Sequence, residues 1–206
     1  MAYPAAMRHA ALPRPDHVAL APGLALLRGR AHEITGPARR ALALLLVARS
    51  RGSALWLGPP GASEQLAGDG VAELFEPGRL LLAAGGSDAE LLWAAEEAAR
   101  AGAVGLVAVE LARPPGLTRV RRLHLAAEAG APGGGGALVL LLTPGEGGAA
   151  GVETRWRADP APGWARGGGP AWRVARLHAR MAPPAAWNLH LAGETLRADI
   201  APVEPD

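Results

Sequence analysis

Lysine and cysteine are both absent from the 206 residues, and phenylalanine and tyrosine occur once each. Without cysteine there can be no disulfide, no thiolate metal site and no cysteine nucleophile. The shortage of Phe and Tyr leaves an aliphatic core as the expectation. All 21 cationic side chains are arginine, so the sequence pI of about 10.2 reflects a group that stays protonated above pH 12. The formal net charge is only +2, which makes the electrostatic case for DNA binding weak. Long apolar runs are missing too. The longest aliphatic stretch, Ala41 to Ala48, is too short to span a bilayer. Met1 to Ala21 is broken by Pro4, Pro13, Pro15, Arg8, Arg14 and Asp16, so no signal-peptide core can be drawn there and the cytoplasm is expected.

What remains is globular in character, with 50% hydrophobic and 19% charged residues. Residues 1–23 are Pro-rich and nonperiodic and read as an arm, with a single domain over residues 24–206. From Leu24 onward short apolar strands alternate with helices, the pattern of an α/β fold with a mostly parallel twisted sheet. Strands are expected over 31–36, 53–57, 79–84, 104–109 and 137–142, and helices over 38–50, 87–101 and 117–129. Residues 58–70 read as a loop. Ser87 followed by Glu90 is a capping box, and Gly102 a C-terminal stop. After Thr143 three Trp-bearing segments, 153–157, 172–180 and 187–191, read as antiparallel strands extending the sheet.

The first strand and helix occupy the place of a phosphate-binding P-loop, which needs wrapping glycines, a Lys for the phosphates and a Ser or Thr for magnesium. Gly36-Pro37 keeps the opening, but counting from Gly36 the Lys and Ser/Thr places hold Leu42 and Ala43. No shift of alignment can restore a lysine that the chain lacks. ATP hydrolysis is not expected, and neither a cofactor nor a metal is assigned. Arg39 and Arg40 are the residues that could meet a phosphate in place of lysine.

These features resemble the ImuA proteins of bacterial damage-induced mutagenesis, which are themselves RecA-like. The most similar stretches are Leu92 to Ala98, Leu117 to Leu123 with Leu125 to Glu128, and Glu153 to Arg157. The likeness runs from Leu24 to Asn188. It implies a RecA-like fold, with Val104 to Glu110 at the Walker B strand and Glu110 at the metal-ligand aspartate. It also implies a noncatalytic adaptor of the SOS translesion mutagenesis complex, partnered by an ImuB-type inactive Y-family polymerase homologue, by RecA and by an error-prone replicative-type polymerase. Contact with DNA is left open, and no membrane role is implied. Two alternatives stand beside this: a relative of the cell-division inhibitor SulA, also small, RecA-like and without nucleotide motifs, and a nucleotide-dependent enzyme with an atypical P-loop.

Several residues carry a functional and a plain reading. Arg119, Arg121 and Arg122, with His124, could grip a phosphate or an acidic partner, or form a solvated helix face. Trp93 falls among polar positions and is either an interface anchor or an aromatic covered by a loop. Glu96 and Glu97 point about 100° apart and read as a solvated face. Of the six histidines only His178 and His190 could face each other across strands.

Overall fold

The computed structural model describes residues 16–62, 64, 66, 68–130, 135–161, 169–193 and 195–201. Strands β1 (His17–Ala21) and β2 (Leu24–Leu27) pair as an antiparallel hairpin. The alternating unit follows: β3 (Ala31–Thr35), α1 (Arg39–Arg49), β4 (Ala54–Gly58), the short α2 (Gly68–Ala72), a 3-10 turn at Pro77–Arg79, and β5 (Leu80–Ala84). It continues through α3 (Asp88–Ala101), β6 (Leu106–Glu110), α4 (Leu117–Ala129) and β7 (Leu138–Leu142). An antiparallel meander of β8 (Thr154–Pro160), β9 (Ala171–Ala179), β10 (Ala185–Ala192) and β11 (Thr195–Ala201) completes the chain.

Nine strands form one sheet in the order β11-β10-β9-β8-β3-β7-β6-β4-β5, parallel from β8 to β5 and antiparallel from β8 to β11. The α/β class and its antiparallel extension are therefore as expected. Leu-Val-Ala-Val-Glu in β6 and Leu-Val-Leu-Leu-Leu in β7 are buried throughout, because helices cover both faces of the parallel half. One face packs on α1, on the hairpin and on Val71 and Phe75; the other packs on α3 and α4. Ser87 caps α3 by accepting from Glu90 N, while the Glu90 carboxylate reaches back to Gly86 N rather than to Ser87 itself. Gly102 ends the helix at φ +66°. Among the described residues no helix is long and apolar enough to cross a membrane.

The expected boundary at residue 24 cuts through the hairpin. Val18, Leu20, Leu24 and Leu26 all point into the core, so residues of the expected arm belong to the folded domain. Residues 1–15 of the expected arm lie outside the described residues. The period-two pattern on either side of Pro22-Gly23 was available as a hairpin signal. Its short Ala-rich strands bury nothing until they meet the rest of the fold. β11 was likewise not anticipated, and the expected loop at 58–70 contains the start of α2.

Two networks dock the hairpin. The Arg176 guanidinium lies 5.6 Å from the Trp156 ring centroid and 5.4 Å from that of Trp187, and its Nη1 donates to Gly23 O. Trp187 Nε1 donates to Pro22 O at 3.2 Å. Trp156, Trp172 and Trp187 are thus packing groups here, with Trp156 fully buried, while Trp164 lies outside the described residues. The second network centres on the buried His32. Trp156 Nε1 donates to Thr154 Oγ1, whose hydroxyl lies 2.6 Å from His32 Nδ1, and His32 Nε2 lies 2.9 Å from Leu27 O. A neutral imidazole that donates from Nε2 and accepts at Nδ1 satisfies every group in this chain.

Burial lowers the His32 pKa from 6.5 to about 4. The unfolded chain therefore takes up a proton near pH 6.5 that the folded protein refuses until about pH 4. Stability from this residue is complete above pH 6.5 and is lost as pH falls toward 4, by about 3 kcal/mol in all. Urea unfolding at pH 7 and pH 4.5 is expected to show this loss, and His32→Asn, which cannot take the proton, to show a smaller difference between the two pH values.

Candidate functional site

The connection from β3 to α1 is three residues long. A P-loop needs a longer glycine-rich turn to wrap phosphates with its backbone N–H groups. Here the turn is closed against β8. Gly36 adopts φ +86°, and a Cβ at this position would lie 2.4 Å from Ala158 O. Ala38 N donates to that same carbonyl at 2.9 Å, and Arg39 N donates to Gly36 O at 3.2 Å. Pro37 is exposed at the outer corner. Leu42 and Ala43, placed by counting at the Lys and Ser/Thr positions, are the fourth and fifth residues of α1 and point into the core. They are packing residues of the helix interior face.

Glu110, at the end of β6, is buried and fully engaged. Its Oε2 accepts from Arg40 Nε at 2.8 Å and Arg40 Nη2 at 2.6 Å, while Oε1 accepts from Trp56 Nε1 at 2.8 Å. A guanidinium that donates twice to Oε2 sits on the carboxylate that the resemblance assigns to a metal-ligand position. Arg40 comes from the first turn of α1, where the helix dipole disfavours a cation. Glu110 compensates it. Arg39, the neighbouring first-turn cation, has no such carboxylate among the described residues; its Nη1 donates only to Gly36 O.

Beside this ion pair opens a cleft of about 890 Å³, whose wall includes Arg39, Ser87, Asp88, Glu110, Arg113 and Pro144. It lies at the carboxyl ends of the parallel strands, between the first turns of α1 and α3, where open α/β sheets take their ligands. Asp88 Oδ1 accepts from Ala112 N, so α3 is tied to the segment after β6 across the floor of the cleft.

No family model matches the chain, and no curated protein matches it. Among solved structures it is similar to SulA from Pseudomonas aeruginosa: 23% identity over 56% of this chain and 98% of that one, with a TM-score of 0.43.

The other residues expected to be functional are dispersed. Trp93 is 58% exposed on α3, and no loop covers it among the described residues. Arg119 and Arg121 are exposed on α4 and have no ion-pair partner among the described residues. Arg122 does not join them. Its guanidinium binds Glu96, which also receives Arg100 Nη2 at 2.5 Å. Glu96 is buried by α4 and is not on a solvated face; burial pushes its carboxyl up, and the hydrogen bonds from Arg122 and Arg100 more than offset this and hold it below the usual range. His124 is structural as well. Its Nδ1 accepts from Ala31 N and its Nε2 lies 3.0 Å from Gly151 O, while burial lowers its pKa. His178 stands opposite Arg155 and His190 opposite Ala171 and Arg197, so the two histidines do not face each other. Among the described residues no three His, Asp or Glu side chains are grouped to hold a metal.

Two features escaped the sequence. One is the buried carboxylate of Glu33, gripped by Thr143, Gly148, Ala149 and Arg155. The other is the open edge of β5, where Leu81 and Leu82 are 49% and 50% exposed.

Because Glu110 neutralises Arg40 and satisfies the indole of Trp56, Glu110→Ala leaves a buried donor unpaired. Unfolding free energy is expected to fall by about 2 kcal/mol, less than for a fully buried pair because Arg40 is partly exposed. Chemical denaturation measures it. Added Mg²⁺ should leave the wild-type midpoint unchanged, since the carboxylate is held as an ion-pair partner.

Proposed function

We propose that this chain is a noncatalytic RecA-like adaptor of a damage-induced translesion mutagenesis complex, binding an ImuB-type inactive Y-family polymerase homologue and RecA. The observation that carries the noncatalytic part is the closed turn at Gly36 to Ala38. The backbone donors of Ala38 and Arg39 are engaged by Ala158 O and Gly36 O, and the acidic side chain at the end of β6 is neutralised by Arg40. No lysine is present to seat a triphosphate. The motif likeness at Leu92 to Ala98, Leu117 to Glu128 and Glu153 to Arg157 supplies the family context, and hence the named partners and the cytoplasmic setting.

What supports a protein-binding role is β5. Natural sheets blunt their edges with charge, proline or a covering element. The far edge, β11, carries Arg197 and Asp199. β5 reads Leu-Leu-Leu-Ala-Ala, with neither charge nor proline, and is exposed along most of its length. Its register against β4 puts Leu81 beside Leu55 and Leu82 beside Trp56, so the two leucines emerge on opposite faces. An extended segment of a partner could pair with the free backbone edge and cover both leucines, the geometry of strand addition. Trp93, on α3, adds an exposed aromatic of the type that anchors interfaces.

The test is co-purification of the full chain with an ImuB-type homologue, alongside an ATPase assay. The expected result is complex formation, no hydrolysis, and loss of the complex in a Leu81→Lys/Leu82→Lys double variant whose melting temperature matches wild type. Filamentation of cells on overexpression, without any rise in mutation frequency, would replace this proposal with division inhibition. Turnover of ATP abolished by Arg39→Ala would replace it with an enzyme.

A further inference from the structure

The cleft of about 890 Å³ survives although the phosphate seat beside it is closed. Such a volume is in the range that holds a drug-sized ligand or a short peptide segment. Pro59, Leu111 and Pro144 make much of its wall apolar. Two guanidiniums belong to the same wall, Arg39 from the start of α1 and Arg113 from the segment after β6. Neither is paired with a carboxylate among the described residues. This sets them apart from Arg40, Arg100, Arg122, Arg155 and Arg157, each held by an acidic partner.

The charge of the cleft follows from these pairings. Arg40 and Glu110 cancel. Among the described residues of the wall Asp88 remains as the one opposing carboxylate, and its Oδ1 already accepts from Ala112 N. Arg39 and Arg113 therefore leave the cleft with an excess positive charge. Arg39 also stands uncompensated at the positive end of α1, a placement that an incoming anion would relieve.

The cleft is continuous with the open edge strand. β5 ends at Ala84, and Gly85 and Gly86, the next two residues, form part of the cleft wall. A segment paired along β5 therefore leaves the sheet beside the cleft wall that Gly85 and Gly86 form.

We propose that the cleft binds an acidic segment of a protein partner, whose Asp or Glu carboxylates are received by Arg39 and Arg113 while its aliphatic side chains rest on Pro59, Leu111 and Pro144. The inference rests on the noncatalytic proposal above, since a working nucleotide site would claim the same space. Arginine is suited to this role because its planar fork matches a carboxylate in bidentate fashion.

The experiment is panning of a phage-displayed library of random dodecapeptides on the full-length protein, followed by affinity measurement of a recovered peptide. Enrichment of Asp and Glu interspersed with aliphatic residues is expected. Arg39→Ala and Arg113→Ala should each weaken binding about tenfold, with unchanged melting temperature, because each removes a charge-assisted contact and neither arginine holds an ion pair among the described residues. Replacing the peptide's acidic residues by Asn and Gln should weaken it to a similar degree. Recovery of no binder, recovery without acidic bias, or affinity indifferent to both substitutions would overturn the proposal. Displacement of the peptide by low concentrations of Mg-ATP or inorganic phosphate would also overturn it, assigning the cleft to a phosphate ligand. Failure here is separable from failure of the adaptor function. If the Arg39→Ala/Arg113→Ala protein still retains an ImuB-type partner that the β5 double variant loses, the cleft proposal falls and the adaptor stands.

Discussion

A carboxylate with no solvent exposure sits where the two halves of the sheet meet. Glu33 lies on β3, the strand that pairs with β7 on one side and β8 on the other. Leaving a carboxylate dry is costly unless its oxygens are supplied with donors. Here Thr143 Oγ1 donates at 2.7 Å, Arg155 Nε at 2.5 Å, and the backbone N–H groups of Gly148 and Ala149 close around the remaining lone pairs. Those donors come from Thr143 directly after β7, from the loop that continues from it and from β8. One side chain thereby fixes how the antiparallel extension joins the parallel core.

That junction shapes the functional region. β8, once registered on β3, places Ala158 O against the turn after Thr35. The carbonyl accepts from Ala38 N, allows only glycine at position 36, and starts α1 almost at once. A helix that starts so early carries Leu42 and Ala43 into the core and presents Arg40 to Glu110. The turn after Thr35 is therefore closed by backbone contacts as much as by side chains. The crevice beside it persists because the strand ends and the first turns of α1 and α3 still diverge there.

The elements were legible wherever local chemistry and burial agree. α3 could be read from Ser87, Glu90 and Gly102, and β6 and β7 from unbroken apolar runs, because parallel strands covered on both faces need no polar side. The hairpin was missed because Val18, Leu20, Leu24 and Leu26 alternate with alanines over strands of four and five residues. The pattern becomes decisive only once Trp187 and Arg176 receive its turn. Glu33, Glu96 and Arg122 were misjudged or passed over for a related reason: a charged residue on a strand or helix reads as solvated until its partner is known. For Glu33 that partner, Arg155, is 122 positions away.

By itself the sequence determined which chemistries are closed to this protein, since no folding can supply a lysine or a thiol that the chain does not encode, and it determined the alternation of strands and helices through residue periodicity. The tertiary structure decided which charges are neutralised and which are left facing a cleft, which strand is left as an open apolar edge, and how little room remains after Gly36. Those outcomes depend on the approach of segments distant in sequence, where desolvation and hydrogen-bond geometry act between residues that no local pattern connects.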